Sequence, residues 1–317
     1  MKTLKTIFRI VLCTFAVMLL FIVLLLSCIA TIPFSPRDYT KKTVTGGELE
    51  KRYLAIGAHA INTLSVKMEK PVRRISCYYP EELSTEECQW PVVLFLNGTG
   101  GSAAKYQSLF HHLASWGFIV LSNDDHDTGT GKSADLTLDW LLKEHEREGS
   151  VFYRKVDVRH IGIFGHSQGG AGVFNAVTVQ PRSDQYKVAV ALSPTHEELA
   201  AAVKFPYDIT KVHIPTMIVA GTVSDFETKL VIPLDKMQKM YSQLPAPKVM
   251  MRKKNCDHGQ SLYLADGYVT AWLLWHLKGD AEAALAFIGE QPELPRNSLY
   301  IDTQIDTNDN SKNNDNY

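Results

Sequence analysis

Gly165-His166-Ser167-Gln168-Gly169-Gly170 follows directly on the apolar run Ile161-Gly162-Ile163-Phe164 and leads into Ala171-Gly172-Val173-Phe174. The pattern describes a short buried strand, a tight turn and the first residues of a helix. The residue types suit a serine held in a strained, left-handed turn, with its hydroxyl projecting above the sheet. Small residues at Gly165 and Gly169 let strand and helix approach each other closely. The helix N-terminus behind the serine aims backbone N–H groups and a positive dipole end at the reacting centre. Ser167 is the candidate nucleophile.

The strands on either side of this turn set the fold class. Pro91-Val92-Val93-Leu94-Phe95-Leu96 is a continuous apolar run, as a strand buried on both faces requires. Phe118 to Ser122, Lys187 to Leu192, Ile214 to Ala220 and Lys248 to Arg252 read as further strands, and Val72 to Tyr79 as an alternating one. A helix after Asn97-Gly98-Thr99-Gly100-Gly101-Ser102, another over 135–148, and closing helices over 268–277 and 281–287 alternate with them. The spacing predicts a doubly wound, mostly parallel sheet with helices on both faces. Between Ser193 and His213 there is room for little more than one helix, so no substantial lid is expected.

A serine hydroxyl needs a base, and the base needs an orienting carboxylate. Two loops after later strands supply them: Gly221-Thr222-Val223-Ser224-Asp225 and Asn255-Cys256-Asp257-His258-Gly259. His258 is the candidate base and Asp225 its candidate partner, with Glu227 and Asp257 as competitors. The backbone amides of Gln168 and Thr99 are the candidate oxyanion donors. Gly98, His166 and Thr195 are expected to line the substrate site. The sequon Asn97-Gly98-Thr99 is set aside because its turn should lie buried beside the nucleophile. Asp124-Asp125-His126-Asp127 reads as a solvated loop, since consecutive residues rarely converge on one metal ion. No metal or other cofactor is expected.

The chain has 317 residues, 45% hydrophobic and 21% charged, with net charge −1. That balance argues against a nucleic-acid partner and suits one α/β domain with short appendages. Five cysteines without a C-x-x-C pair form neither a disulfide framework nor a zinc site. Cys77 and Cys88 bracket an acidic loop and read equally well as a pair or as free thiols. Behind Lys2, Lys5 and Arg9, Ile10 to Ile32 runs 23 residues without a charge, longer than the roughly 20 a helix needs to cross a bilayer. An uncleaved signal anchor fits best. Leu25-Leu26-Ser27-Cys28 also resembles a lipobox, in which Cys28 would carry lipid. Both place the domain at a membrane outside the cytoplasm. Residues 33–45 read as a linker, 46–301 as the catalytic domain, and the Asn/Asp-rich 302–317 as a disordered tail.

From about Val92 to Phe287 the sequence resembles the α/β-hydrolase superfamily, within it the dienelactone-hydrolase-like, cutinase-like and polyester (PET) hydrolases. Lys155-Val156-Asp157 through Gly170 carries most of the likeness, and Trp272 to Phe287 is similar to the closing helix of that group. The resemblance implies an α/β-hydrolase fold and a triad at Ser167, Asp225 and His258. The sequence departs from the group at Thr99 and Thr195, where polyester hydrolases carry aromatics, and its acidic loop is one residue longer. The implied function is a membrane-tethered serine esterase acting on small-molecule or lipid esters through an acyl-enzyme. An acyltransferase or peptidase with the same triad, and a non-catalytic hydrolase-fold binding protein, are the alternatives.

Overall fold

The computed structural model describes residues 33–307. Nine strands form one sheet: β1 (Ile61–Lys67), β2 (Arg74–Pro80), β3 (Trp90–Leu96), β4 (Ile119–Asn123), β5 (Val156–His166), β6 (Tyr186–Leu192), β7 (Thr216–Ala220), β8 (Lys248–Lys253) and β9 (Tyr300–Asp306). Their order is β1-β2-β4-β3-β5-β6-β7-β8-β9. The block from β4 to β8 is parallel throughout; at the edges β2 and β9 run against it, and β1 pairs antiparallel with β2. This is the architecture of an α/β hydrolase.

The helices are α1 (Tyr39–Lys42), α2 (Glu48–Leu54), α3 (Gln107–Ser115), α4 (Lys132–Glu146), α5 (Gln168–Ala176), α6 (Glu197–Ala202), α7 (Leu234–Gln243), α8 (Ser261–Leu264), α9 (Asp266–Lys278), α10 (Ala281–Ala284) and α11 (Glu293–Arg296). Period-two alternation splits the central strands between two cores. Val93 and Phe95 of β3 join Phe110, Tyr268 and Trp272 on the face of α3 and α9. Val92, Leu94 and Leu96 join Leu138, Leu141 and Ile163 on the face of α4. Every residue of β3 is buried, which is why its sequence reads as an unbroken apolar run. In the edge strand β1 no residue is buried, and its mixed sequence hides the strand; hydrogen bonding to β2 along its whole length defines it.

Two boundaries differ from the sequence expectation. Residues 33–45, read as a linker, are docked on the domain. Phe34 N–H donates to Lys105 O at 2.8 Å, Ser35 Oγ lies 2.6 Å from Ser108 Oγ, and Tyr39 is buried with its hydroxyl donating to Asp266 at 2.5 Å. Prolines and charges suggest a tether by composition, but one buried aromatic with a satisfied hydroxyl outweighs them. Residues 302–306, read as part of a disordered tail, instead belong to β9, paired with β8. Backbone pairing stabilises a polar strand that has little apolar surface of its own. Cys77 is buried and Cys88 exposed, both as free thiols.

The connection from Ser193 to His213 carries only α6 and a 3-10 turn over Ile209–Lys211, so among the described residues this connection supplies no large helical lid. Among the described residues no helix is long and apolar enough to cross a membrane; Ile10–Ile32 lies outside them.

Candidate active site

Ser167 sits between β5 and α5 with φ 58° and ψ −121°, the strained turn its flanking glycines allow. A Cβ on Gly165 would stand 2.3 Å from Gly169 O, and one on Gly169 would stand 2.2 Å from Leu96 O. Strand and helix therefore meet backbone to backbone. Ser167 N–H donates to Leu192 O at 2.9 Å, and Ser167 O accepts from Thr195 N–H at 3.3 Å. The turn is thus held against the end of β6. Other non-glycine residues with positive φ stand at neighbouring strand ends: Ser193 at 44°, Ser224 at 69° and Asn255 at 53°. Strain of this kind collects where loops must aim side chains at one point.

His258 is one of those side chains. Its ring lies 4.6 Å, centroid to centroid, from the ring of His166, the residue before the serine. His166 Nε2 donates to the carbonyl of His258 at 2.8 Å. His258 Nδ1 is 2.7 Å from Glu227 Oε2. A carboxylate only accepts, so Nδ1 carries a proton, and in the neutral imidazole that tautomer leaves Nε2 its lone pair. Ser167 Oγ itself makes no hydrogen bond among the described residues; such contacts often tighten only around substrate.

The carboxylate is Glu227, and the expectation of Asp225 is corrected. Asp225 points into solvent and pairs with Lys229 at 2.9 Å, its side chain 81% exposed. Ser224, at positive φ, turns the chain into a single π-helical turn, Phe226–Val231. Residues two apart on such a turn cannot face the same way, so one acid looks out while the other looks in. The extra methylene of glutamate carries its carboxylate to the base. Glu227 is fully buried and accepts from Gly221 N–H at 2.7 Å and Ser193 Oγ at 2.6 Å as well as from His258. Burial pushes its pKa up, but these hydrogen bonds outweigh it and hold the group below the usual 4.5. The stability this adds is present above pH 4.5 and is lost as pH falls further. Ser261 Oγ, 2.7 Å from Ser193 Oγ and 2.9 Å from His258 O, ties the acid's support to the base's own backbone. Ser193 and Ser261 escape a sequence reading because neither stands in a motif.

Around the opposite loop, Gly98 N–H donates to Tyr106 Oη at 3.0 Å and Gly100 N–H to His126 O at 3.0 Å. The amide of Thr99, between them, has no acceptor among the described residues. Gln168 is the first residue of α5, where an N–H has no acceptor within the helix. Gly98, His166 and Thr195 are all buried and adjoin the turn, Thr195 through its N–H to Ser167 O and Gly98 through its close approach to His166 and Ser167. Asn97 is buried too, its Nδ2 donating to Asp125 O at 3.2 Å, so the sequon is closed to modification. Asp127 accepts from Gln168 Nε2 at 2.9 Å, which fixes the acidic loop beside the nucleophile. A cavity of about 630 Å³ lined by Met68, Leu136 and Trp140 among others contains none of these residues.

Buried and beside another histidine, His166 has its pKa lowered from 6.5 to about 3. Below pH 6.5 the unfolded chain takes up a proton that the native state refuses, so stability falls with pH from 6.5 towards about 3. The slope approaches about 1.4 kcal/mol per pH unit. His166→Gln should flatten this acid limb, read from denaturant midpoints between pH 7 and 4; an unchanged slope would place the titration elsewhere.

The cutinase est2 of Thermobifida alba is 25% identical over 175 residues, 54% of this chain and 51% of the relative. A cutinase of Thermobifida fusca is 25% identical over 173 residues, covering 53% and 47%. The chloroplastic chlorophyllase-1 of Citrus unshiu is 29% identical over 124 residues, 36% and 35%. The chain thus spans about half the length of the cutinases it matches. The family model described as PET hydrolase-like matches residues 52–294, from α2 through the elbow and both loops to the start of α11. With a serine at a strained strand–helix turn, a carboxylate-bound histidine and that match over most of its length, the chain belongs to the PET hydrolase-like family.

Proposed function

We propose that the protein is a carboxylic-ester hydrolase working through Ser167, His258 and Glu227. The observation that carries this is the buried Glu227 carboxylate holding the Nδ1–H of His258 beside a serine at φ 58°. His258 Nε2 accepts the Ser167 proton as Oγ attacks the ester carbonyl. The amides of Thr99 and Gln168 receive the oxyanion, and Glu227 stabilises the imidazolium that forms. Collapse expels the alcohol, which takes the proton from His258 and leaves an acyl-enzyme. Water, deprotonated by the same imidazole, then releases the acid. Relatives named as cutinases support the ester class. Labelling with a fluorophosphonate probe, followed by peptide mapping, tests the reading: the adduct should sit on Ser167, together with turnover of p-nitrophenyl esters. Labelling at another residue, or none, would overturn it.

We infer further that Ile10–Ile32 tethers this domain to a membrane, outside the cytoplasm, on the strength of its uncharged length behind a basic cluster. The full chain should sediment with membranes, and a chain beginning at Pro33 should be soluble and active. A chain beginning at Gly46 should lose about 3 kcal/mol of stability, because it also discards the buried Tyr39. Full-length protein found free in the cytosol would refute the tether. An intact Met1 or a lipidated Cys28, by mass spectrometry of the N-terminus, separates anchor from lipoprotein.

A further inference from the structure

The loop Gly98-Thr99-Gly100-Gly101 carries the Thr99 amide, yet it has almost no side chains with which to hold its own shape. So many glycines make a loop costly to order, and its conformation depends on bonds from outside. Gly98 is held twice. Its N–H donates to Tyr106 Oη at 3.0 Å, and its carbonyl accepts from Gly101 N–H at 2.9 Å. The carbonyl of Gly98 and the N–H of Thr99 belong to one planar trans peptide and point in opposite directions. Fixing Gly98 therefore fixes where the Thr99 amide aims. The reach is short: a Cβ placed on Gly98 would lie 3.5 Å from Tyr106 Oη and 3.5 Å from Ser167 Cβ. Gly98 thus stands between the tyrosine hydroxyl and the serine.

Tyr106 is fully buried. Phe95 and Phe110 of the core lie 4.5 and 6.1 Å from its ring, centroid to centroid. A further aromatic neighbour comes from the start of the described chain: Phe34, edge-on at 5.4 Å and 75°. Phe34 is 44% exposed, but its surroundings hold it. Its N–H donates to Lys105 O, and Lys105 Nζ lies 5.3 Å over its ring. Ser35, which is buried, accepts at its carbonyl from Ser108 Oγ at 2.9 Å. Phe34 and Ser35 therefore grip the chain on both sides of Tyr106.

We propose that Tyr106 is a positioning residue for the oxyanion loop, and that Phe34 and Ser35 keep it in place, so that docking of this N-terminal segment sets the rate of ester cleavage. This rests on the esterase reading above. Tyr106 touches no reacting atom; it acts through Gly98 on the direction of the Thr99 amide. Without the hydroxyl, Gly98 N–H loses its acceptor and the glycine loop relaxes. A misaimed donor weakens the transition state while leaving substrate binding nearly unchanged.

The test uses the chain beginning at Pro33. Tyr106→Phe should lower kcat for p-nitrophenyl butyrate about twentyfold, less than the loss of a whole oxyanion donor, with KM within about twofold. Butylboronic acid takes Ser167 Oγ as a fourth ligand, its proton passing to His258, and places a negative oxygen where the oxyanion forms. Its inhibition constant should rise by the same factor as kcat falls. Phe34→Ala should move both about threefold in the same directions. Tyr39→Phe is the control: it removes the bond to Asp266 from the same segment and should lower the thermal midpoint with kcat and the inhibition constant unmoved. A smaller folded fraction in Tyr106→Phe would lower kcat without moving the inhibition constant, and that result would refute the positioning role. An inert Phe34→Ala beside an impaired Tyr106→Phe would overturn the part given to the N-terminal segment. A parent chain that hydrolyses no ester and takes no label at Ser167 would refute the esterase reading and this role with it, whereas an active parent unaffected by Tyr106→Phe would refute the role alone.

Discussion

Ser167→Ala folds like the parent and hydrolyses no ester above background, a loss on the order of 10⁶-fold in kcat if the triad works as a unit. The large effect follows from chemistry, since no other hydroxyl stands on the turn beside His258. The small structural effect follows from geometry. What holds the turn is backbone: Ser167 N–H to Leu192 O, Thr195 N–H to Ser167 O, and the close approach of Gly165 to Gly169. None of these uses the serine side chain, and alanine pays the same cost at φ 58° as serine does. Thermal midpoints within a few degrees of each other, with turnover gone, are the expected pair of results. Wild-type turnover in the alanine variant would remove the assignment altogether.

Glu227→Gln is the second large effect, and Asp225→Asn is its control. The amide keeps the size of glutamate but can present an N–H to His258 Nδ1, favouring the tautomer whose Nε2 carries the proton and cannot act as base. A loss of about 10⁴-fold in kcat is expected by analogy with the corresponding change in serine proteases. Gly221 N–H and Ser193 Oγ should still engage the amide oxygen, so the protein should remain folded. Asp225 is exposed and holds only Lys229, a surface pair worth little; Asp225→Asn should keep kcat within about twofold. A large loss in Asp225→Asn with normal turnover in Glu227→Gln would return the acid to the residue that the sequence first suggests.

That exchange of acids shows where sequence reading runs out. Gly221 to Asp225 has the form of an acid-bearing loop after a buried strand, and aspartate is the residue that the family resemblance implies. Which carboxylate turns inward depends on a single π-helical turn begun by Ser224 in the left-handed region, and no periodicity in a six-residue stretch announces it. The aromatic surface beside the base is a similar case. Thr99 and Thr195 read as an absence of aromatics, yet Phe226 stands at the imidazole from a loop that carries no motif. Tyr39 was hidden in the same way, in a segment whose prolines and charges describe a linker.

By itself the sequence determined the central parallel strands, the helices between them, the strained serine and the histidine two loops later. These are local properties: an apolar run long enough to be buried on both faces, glycines where two backbones touch, and a helix start after a strand. Only the tertiary structure decided which acid meets the base, which hydroxyls hold that acid, what rims the site, and that both ends of the described chain belong to the domain. Those outcomes depend on contacts between residues far apart in the chain, such as Ser193 with Glu227, Tyr39 with Asp266 and β8 with β9. Their free energy comes from burial and pairing that exist only once the sheet has formed.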